Sequence, residues 1–116
     1  MKKSLLILPF LILSAVYAEG ISYLQVKDVK AWDTLNMREK SDHTSKKISS
    51  IPHNAQCVIN YGCGKDISLE AMMNMQEEEI KLFLAQAKEN WCYISYKDNT
   101  GWANKKYLKE STAKCK

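Results

Sequence analysis

The chain has 116 residues, of which 17 are basic and 13 acidic, and 46% are hydrophobic. That length holds one small domain and excludes a multi-domain enzyme, while 9% aromatic residues and only two prolines exclude a collagenous, low-complexity or disordered chain. Beyond position 18 fifteen basic and thirteen acidic residues remain, a balance too even for a nucleic-acid-binding surface.

Residues 1–18 begin with Lys2-Lys3, run through the apolar stretch from Leu5 to Leu13, and end on Val16-Tyr17-Ala18. A charged start, an apolar run and small residues two apart read as a secretory signal peptide cleaved after Ala18. The run is shorter than the ~20 residues a membrane anchor needs. Glu19 follows the cut and offers no thiol for lipid attachment, so the expected product, residues 19–116, is periplasmic or secreted and has no stable membrane span. In an oxidising compartment Cys57, Cys63, Cys92 and Cys115 are expected to form two disulfides. Four cysteines permit three pairings, and spacing alone does not choose among them. The lack of Cys-x-x-Cys disfavours a thioredoxin-like role or a zinc ribbon.

Tyr23 to Val29 alternates imperfectly with a two-residue period, which predicts a first strand, and Leu35 to Arg38 predicts a second. Ile48 and Ile51 lead into a turn at Pro52-His53-Asn54, and Cys57 to Tyr61 is rich in β-formers before Gly62 and Gly64. Trp91 to Tyr96 and Trp102-Ala103 flank the polar run from Lys97 to Gly101, which predicts a hairpin. Between Gly64 and Trp91 the period changes. Leu69, Met72, Met73, Ile80, Phe83, Leu84 and Ala87 form the stripe of one amphipathic helix over about residues 67–89, with Gln76 its one polar interruption and Asp66 or Ser68 its cap. The sequence therefore predicts a mostly β fold, a small barrel with one inserted helix, and the insertion 64–90 carries six acidic against three basic residues.

In order along the chain stand Val26-x-x-Val29, Asp33-Thr34-Leu35-Asn36-Met37-Arg38, Ile48-x-x-Ile51-Pro52, Cys57-Val58, Trp91-Cys92-Tyr93-Ile94, Thr100-Gly101-Trp102-Ala103 and Tyr107-Leu108. Together they resemble the bacterial SH3 domain (SH3b), over nearly all of residues 19–116 except 64–90. Three departures are Ser41 where the family often has proline, Ala55 where it usually has glycine, and a long insertion at the position of the n-Src loop. The resemblance implies an SH3-like barrel, and in a subset of exported members a Gly-Cys and a Trp-Cys are bonded, which implies Cys63–Cys92 here and with it Cys57–Cys115. It also implies a groove walled by Trp91 and Tyr107, suited to an extended peptide. Asp33, Asn36, Arg38 and Gly101 belong to the same signature and are expected to do structural work, Gly101 by supplying a backbone angle other residues adopt at a cost.

No nucleophile stands near an orienting partner in the sequence, and His43 and His53 are isolated, so the protein is read as a non-enzyme needing no cofactor. Glu77-Glu78-Glu79 point in different directions on a helix and read as solvated charge. Met72, Met73 and Met75 have the close spacing of soft copper ligands, but Met72 and Met73 lie on the apolar stripe, where methionine fills an irregular interface, and that reading is the stronger. Lys105, Lys106, Lys109, Lys114 and Lys116 form a basic end. The expected function is a binding module for a peptidoglycan peptide or an envelope protein. The alternatives are an assembly module whose groove the inserted helix closes over Trp91, and periplasmic metal handling through the methionines.

Overall fold

The computed structural model describes residues 22–115, and the expected leader, residues 1–18, lies outside them. Among the described residues there are eight strands: β1 (Ser22–Val26), β2 (Thr34–Arg38), β3 (Lys47–Pro52), β4 (Val58–Cys63), β5 (Asp66–Ile67), β6 (Trp91–Tyr96), β7 (Asn99–Asn104) and β8 (Leu108–Glu110). Helices α1 (Leu69–Met73) and α2 (Glu77–Gln86) stand between β5 and β6, and a 3₁₀ turn (Lys105–Tyr107) precedes β8. This is the mostly β fold with a helical insertion that the residue pattern predicts. Pairing is antiparallel throughout, in the order β3-β2-β7-β6-β4-β1-β8, with β5 added to β4. Among the described residues no helix is long and apolar enough to cross a membrane.

Met37, Ile51, Val58, Cys92, Ile94 and Ala103, from five strands, are sealed from solvent in one cluster with Val26 of β1 and Leu108 of β8. The sheet therefore curls around a single core. On its outer face a second cluster holds Trp91 and Trp102 against Phe83 of α2 and Ala87 just beyond it. β6 and β7 are thus buried on both faces, which is why Trp91-Cys92-Tyr93-Ile94 shows no clean polar–apolar alternation. Both disulfides are formed, Cys57–Cys115 and Cys63–Cys92. Cys63 and Cys92 face each other in register across β4 and β6, with Cα atoms 3.9 Å apart.

Tight places along the sheet are made by particular residues. Between Asn60 and Gly62 the β4–β6 register shifts by one residue, and the Gly62 N–H donates to Asn60 Oδ1 at 3.0 Å. A methyl group on Gly62 would lie 2.1 Å from the Asp66 carbonyl oxygen, so only glycine lets β5 fold back on β4. Gly101 corrects the expectation of a special backbone angle. It is not among the residues with positive φ; instead a Cβ there would lie 2.7 to 2.8 Å from Ile48 Cδ1, the Arg38 carbonyl oxygen and Met37 Cγ.

The positive angles of that hairpin fall on Lys97 (φ 49°) and Asp98 (φ 69°), which form a two-residue turn because Tyr96 pairs with Asn99. Such a turn favours Asn-Gly. Replacing Lys97 by Asn and Asp98 by Gly is expected to add about 1 kcal/mol, read as a melting temperature higher by roughly 4–8 °C.

The insertion departs from a single helix. Ser68 is the cap, its Oγ accepting from the Ala71 N–H at 3.1 Å, while Asp66 pairs in β5 instead. Asn74 ends α1: its backbone N–H donates to the Ala71 carbonyl and its Nδ2 to the Glu70 carbonyl. Gln76 then opens α2, its N–H donating to Glu79 Oε1 at 2.7 Å. Two competing caps break the stripe, so Met72 and Met73 do not share a face with Phe83 and Ala87. They are exposed.

Candidate ligand cleft

A cleft of about 480 Å³ opens between the β1–β2 loop, β2, the β2–β3 loop, Trp91 and the 3₁₀ turn. Its shape follows from local bonds. The β1–β2 loop turns at Asp28 (φ 56°), and its base is fastened where the Lys27 N–H donates to the Tyr107 carbonyl at 2.8 Å. At the far end Asp33 Oδ1 accepts from the Thr34 N–H at 2.7 Å. The β2–β3 loop is held by Arg38, whose Nη1 donates to the Ser45 carbonyl at 2.9 Å. Ser41, buried, donates from its hydroxyl to the Gln86 carbonyl and ties this loop to the end of α2.

Both residues implied by the resemblance line the cleft, in unequal roles. Trp91 is only 8% exposed, because Phe83 and Ala87 pack against it from the outer face, so it forms wall rather than open plate. Tyr107 is half-buried against the main core, and Lys106 Nζ stands 5.1 Å from its ring centre. No residue of 64–90 lines the cleft. The helices cover the back of Trp91 and leave the opening free.

Charge in the cleft is mixed. Asp28 and Asp33 offer carboxylates, and Lys30 and Arg38 offer cations. His43 stands in the same lining. Beside it Asp42 accepts from the Thr44 N–H at 3.0 Å, and that bond holds its carboxyl below the usual carboxylate range. Asn36 and Asn104 add planar amides; Asn104 Oδ1 accepts from the Lys106 N–H at 3.0 Å. Asp33 and Arg38, read from sequence as structural, therefore serve the fold and line the cleft, and Asn36 lines it beside them.

The residue the sequence reading passed over is Trp32. It is 83% exposed between Lys30 and Asp33, both cleft-lining, with Lys30 Nζ 5.5 Å from its ring centre. The available signal was an aromatic residue in a polar loop with no apolar partner at helix or strand spacing. The methionines are not gathered: Met72 and Met73 are exposed, whereas Met75 packs against the Phe83–Trp102 cluster. All four cysteines are spent in disulfides. No protein-family model matches the chain, and no curated protein matches it.

Proposed function

We propose that this protein is an exported, non-catalytic binding module of the bacterial SH3 type that takes an extended peptide, from the cell wall or from an envelope protein, in the cleft between Trp91 and Tyr107. The observation that carries the reading is an open cleft that combines two aromatic walls, planar amides and charges of both signs. Extended peptides present flat apolar faces, backbone donors and acceptors, and charged ends or side chains, and each has a counterpart there. Two disulfides support export, since paired thiols persist outside the reducing cytoplasm.

Titration of the protein with soluble peptidoglycan stem peptides, followed by calorimetry, tests the reading. Saturable binding is expected, and Trp32→Ala is expected to weaken it about tenfold while leaving the melting temperature unchanged, because an exposed rim aromatic contributes to contact but not to the core. Absence of saturable heat with both wall peptides and extended envelope-protein segments overturns it.

A further inference from the structure

Helices α1 and α2 leave much of their apolar surface uncovered. Seven large hydrophobic side chains are exposed among the described residues, and four belong to the insertion: Met72, Met73, Leu82 and Leu84, with Met73 at 70% and Leu82 at 65%. Beside Leu82 a groove of about 520 Å³ runs between α2 and the outer face of the sheet. Phe83, Tyr93 and Trp102 pack on one another along it, with ring centres 5.1 to 5.6 Å apart, and Met75 and Leu82 supply aliphatic walls. A packed aromatic floor beside the uncovered Leu82 side chain is surface prepared for contact. The groove shares no lining residue with the cleft.

Its rim carries Glu39 and Glu79 against one cation, Lys40. Burial, and after it the Glu79 charge, raises the Tyr93 hydroxyl above its ordinary pKa, which places that carboxylate's field over the aromatic floor. The insertion 64–90 holds six acidic and three basic residues, whereas the rest of 22–115 holds six acidic and eleven basic. Excess negative charge is therefore confined to the insertion, which supplies one wall of the groove.

We propose that this groove docks a segment of a partner protein in which a large apolar side chain is flanked by lysine or arginine. The apolar side chain rests on Leu82 and the half-buried Tyr93, above the buried Phe83 and Trp102, and its basic neighbours meet Glu39 and Glu79. A second copy of this chain fits less well. Its exposed apolar residue that follows two lysines, Ile48 after Lys46-Lys47, is already packed over its own Gly101, and Trp32 is followed by Asp33.

The test uses two labelled 14-residue amphipathic peptides, one of leucine and lysine and one of leucine and glutamate, titrated with the protein by fluorescence anisotropy. The leucine–lysine peptide is expected to bind saturably and about tenfold more tightly than its counterpart. Leu82→Ser and Glu39→Lys are each expected to weaken it about fivefold, and Trp32→Ala, beside the cleft, to leave it unchanged. Equal binding of the two peptides, or binding indifferent to Leu82→Ser, overturns the proposal. So does concentration-dependent self-association in sedimentation that Leu82→Ser abolishes, which would make a second copy the occupant.

Discussion

Replacing Cys63 and Cys92 together by alanine is expected to lower the unfolding free energy by about 4 kcal/mol, with the midpoint of urea unfolding falling in proportion. The bond closes a loop of 29 residues, for which unfolded-chain entropy alone gives about 3.5 kcal/mol. Cys92 is also fully buried in the core, so the smaller alanine leaves unfilled space beneath β6. Cys57–Cys115 closes 58 residues, and the same entropy argument gives about 4 kcal/mol. Its two cysteines are half-buried, and the tail they fasten keeps other bonds: the Ser111 N–H donates to the Tyr23 carbonyl at 3.0 Å and the Thr112 N–H to Gln25 Oε1 at 2.8 Å. Small domains hold only about 5–15 kcal/mol in total. A chain lacking all four cysteines is therefore expected to be largely unfolded at 37 °C by circular dichroism. A loss below about 1 kcal/mol for the Cys63–Cys92 pair would show that the core, not the bond, holds β4 to β6.

Gly101→Ala is expected to lower stability by about 3 kcal/mol, or the melting temperature by roughly 12–24 °C. One of the three atoms a methyl group would meet is the Arg38 carbonyl oxygen, part of the backbone of β2. β2 and β7 pair at Arg38 and Trp102, so relief requires the two strands to part at that point. Ile48 is a flexible side chain, and Ile48→Ala removes one obstruction without touching the carbonyl. In the double variant Gly101→Ala with Ile48→Ala, partial recovery measured by thermal melting is expected, with most of the loss retained. Full recovery would mean that side-chain crowding alone makes the position sensitive.

Which parts of this molecule can be read from residues depends on whether the cause is local. The strand at Thr34–Arg38 and the hairpin at Lys97-Asp98 announce themselves by alternation and turn chemistry within a few residues. The insertion announces itself by a change of period. Its interruption was also written locally, in Asn74 and in the Gln76–Glu79 pair, but a stripe of seven apolar residues across both segments masked it. Gly101 could not be read correctly from its neighbours, because what crowds it comes from β2 and β3 more than fifty positions away. The same holds for the site. Trp91 and Tyr107 come together with Asp28 to Arg38 only through sheet pairing, and the burial of Trp91 is decided by Phe83 and Ala87, which lie in the insertion. Trp32, by contrast, was legible as an aromatic residue with nothing nearby to bury it.

The two sulfur bonds are nested, Cys63–Cys92 lying wholly inside Cys57–Cys115. A chain that emerges from its N-terminal side into an oxidising space shows Cys57 and Cys63 first, only six positions apart and before either has its native partner. A bond between them is resolved when the Cys92 thiolate attacks the Cys63 sulfur, which forms Cys63–Cys92 and expels Cys57 as a thiol, left to be oxidised together with Cys115 by the oxidant of that space. In such a chain pairing proceeds from the inside outward, and Cys57, just before β4, is not tied to the tail until the last of the four thiols has arrived. In an oxidising compartment the yield of such a chain is therefore expected to depend on an isomerase more steeply than its final stability does.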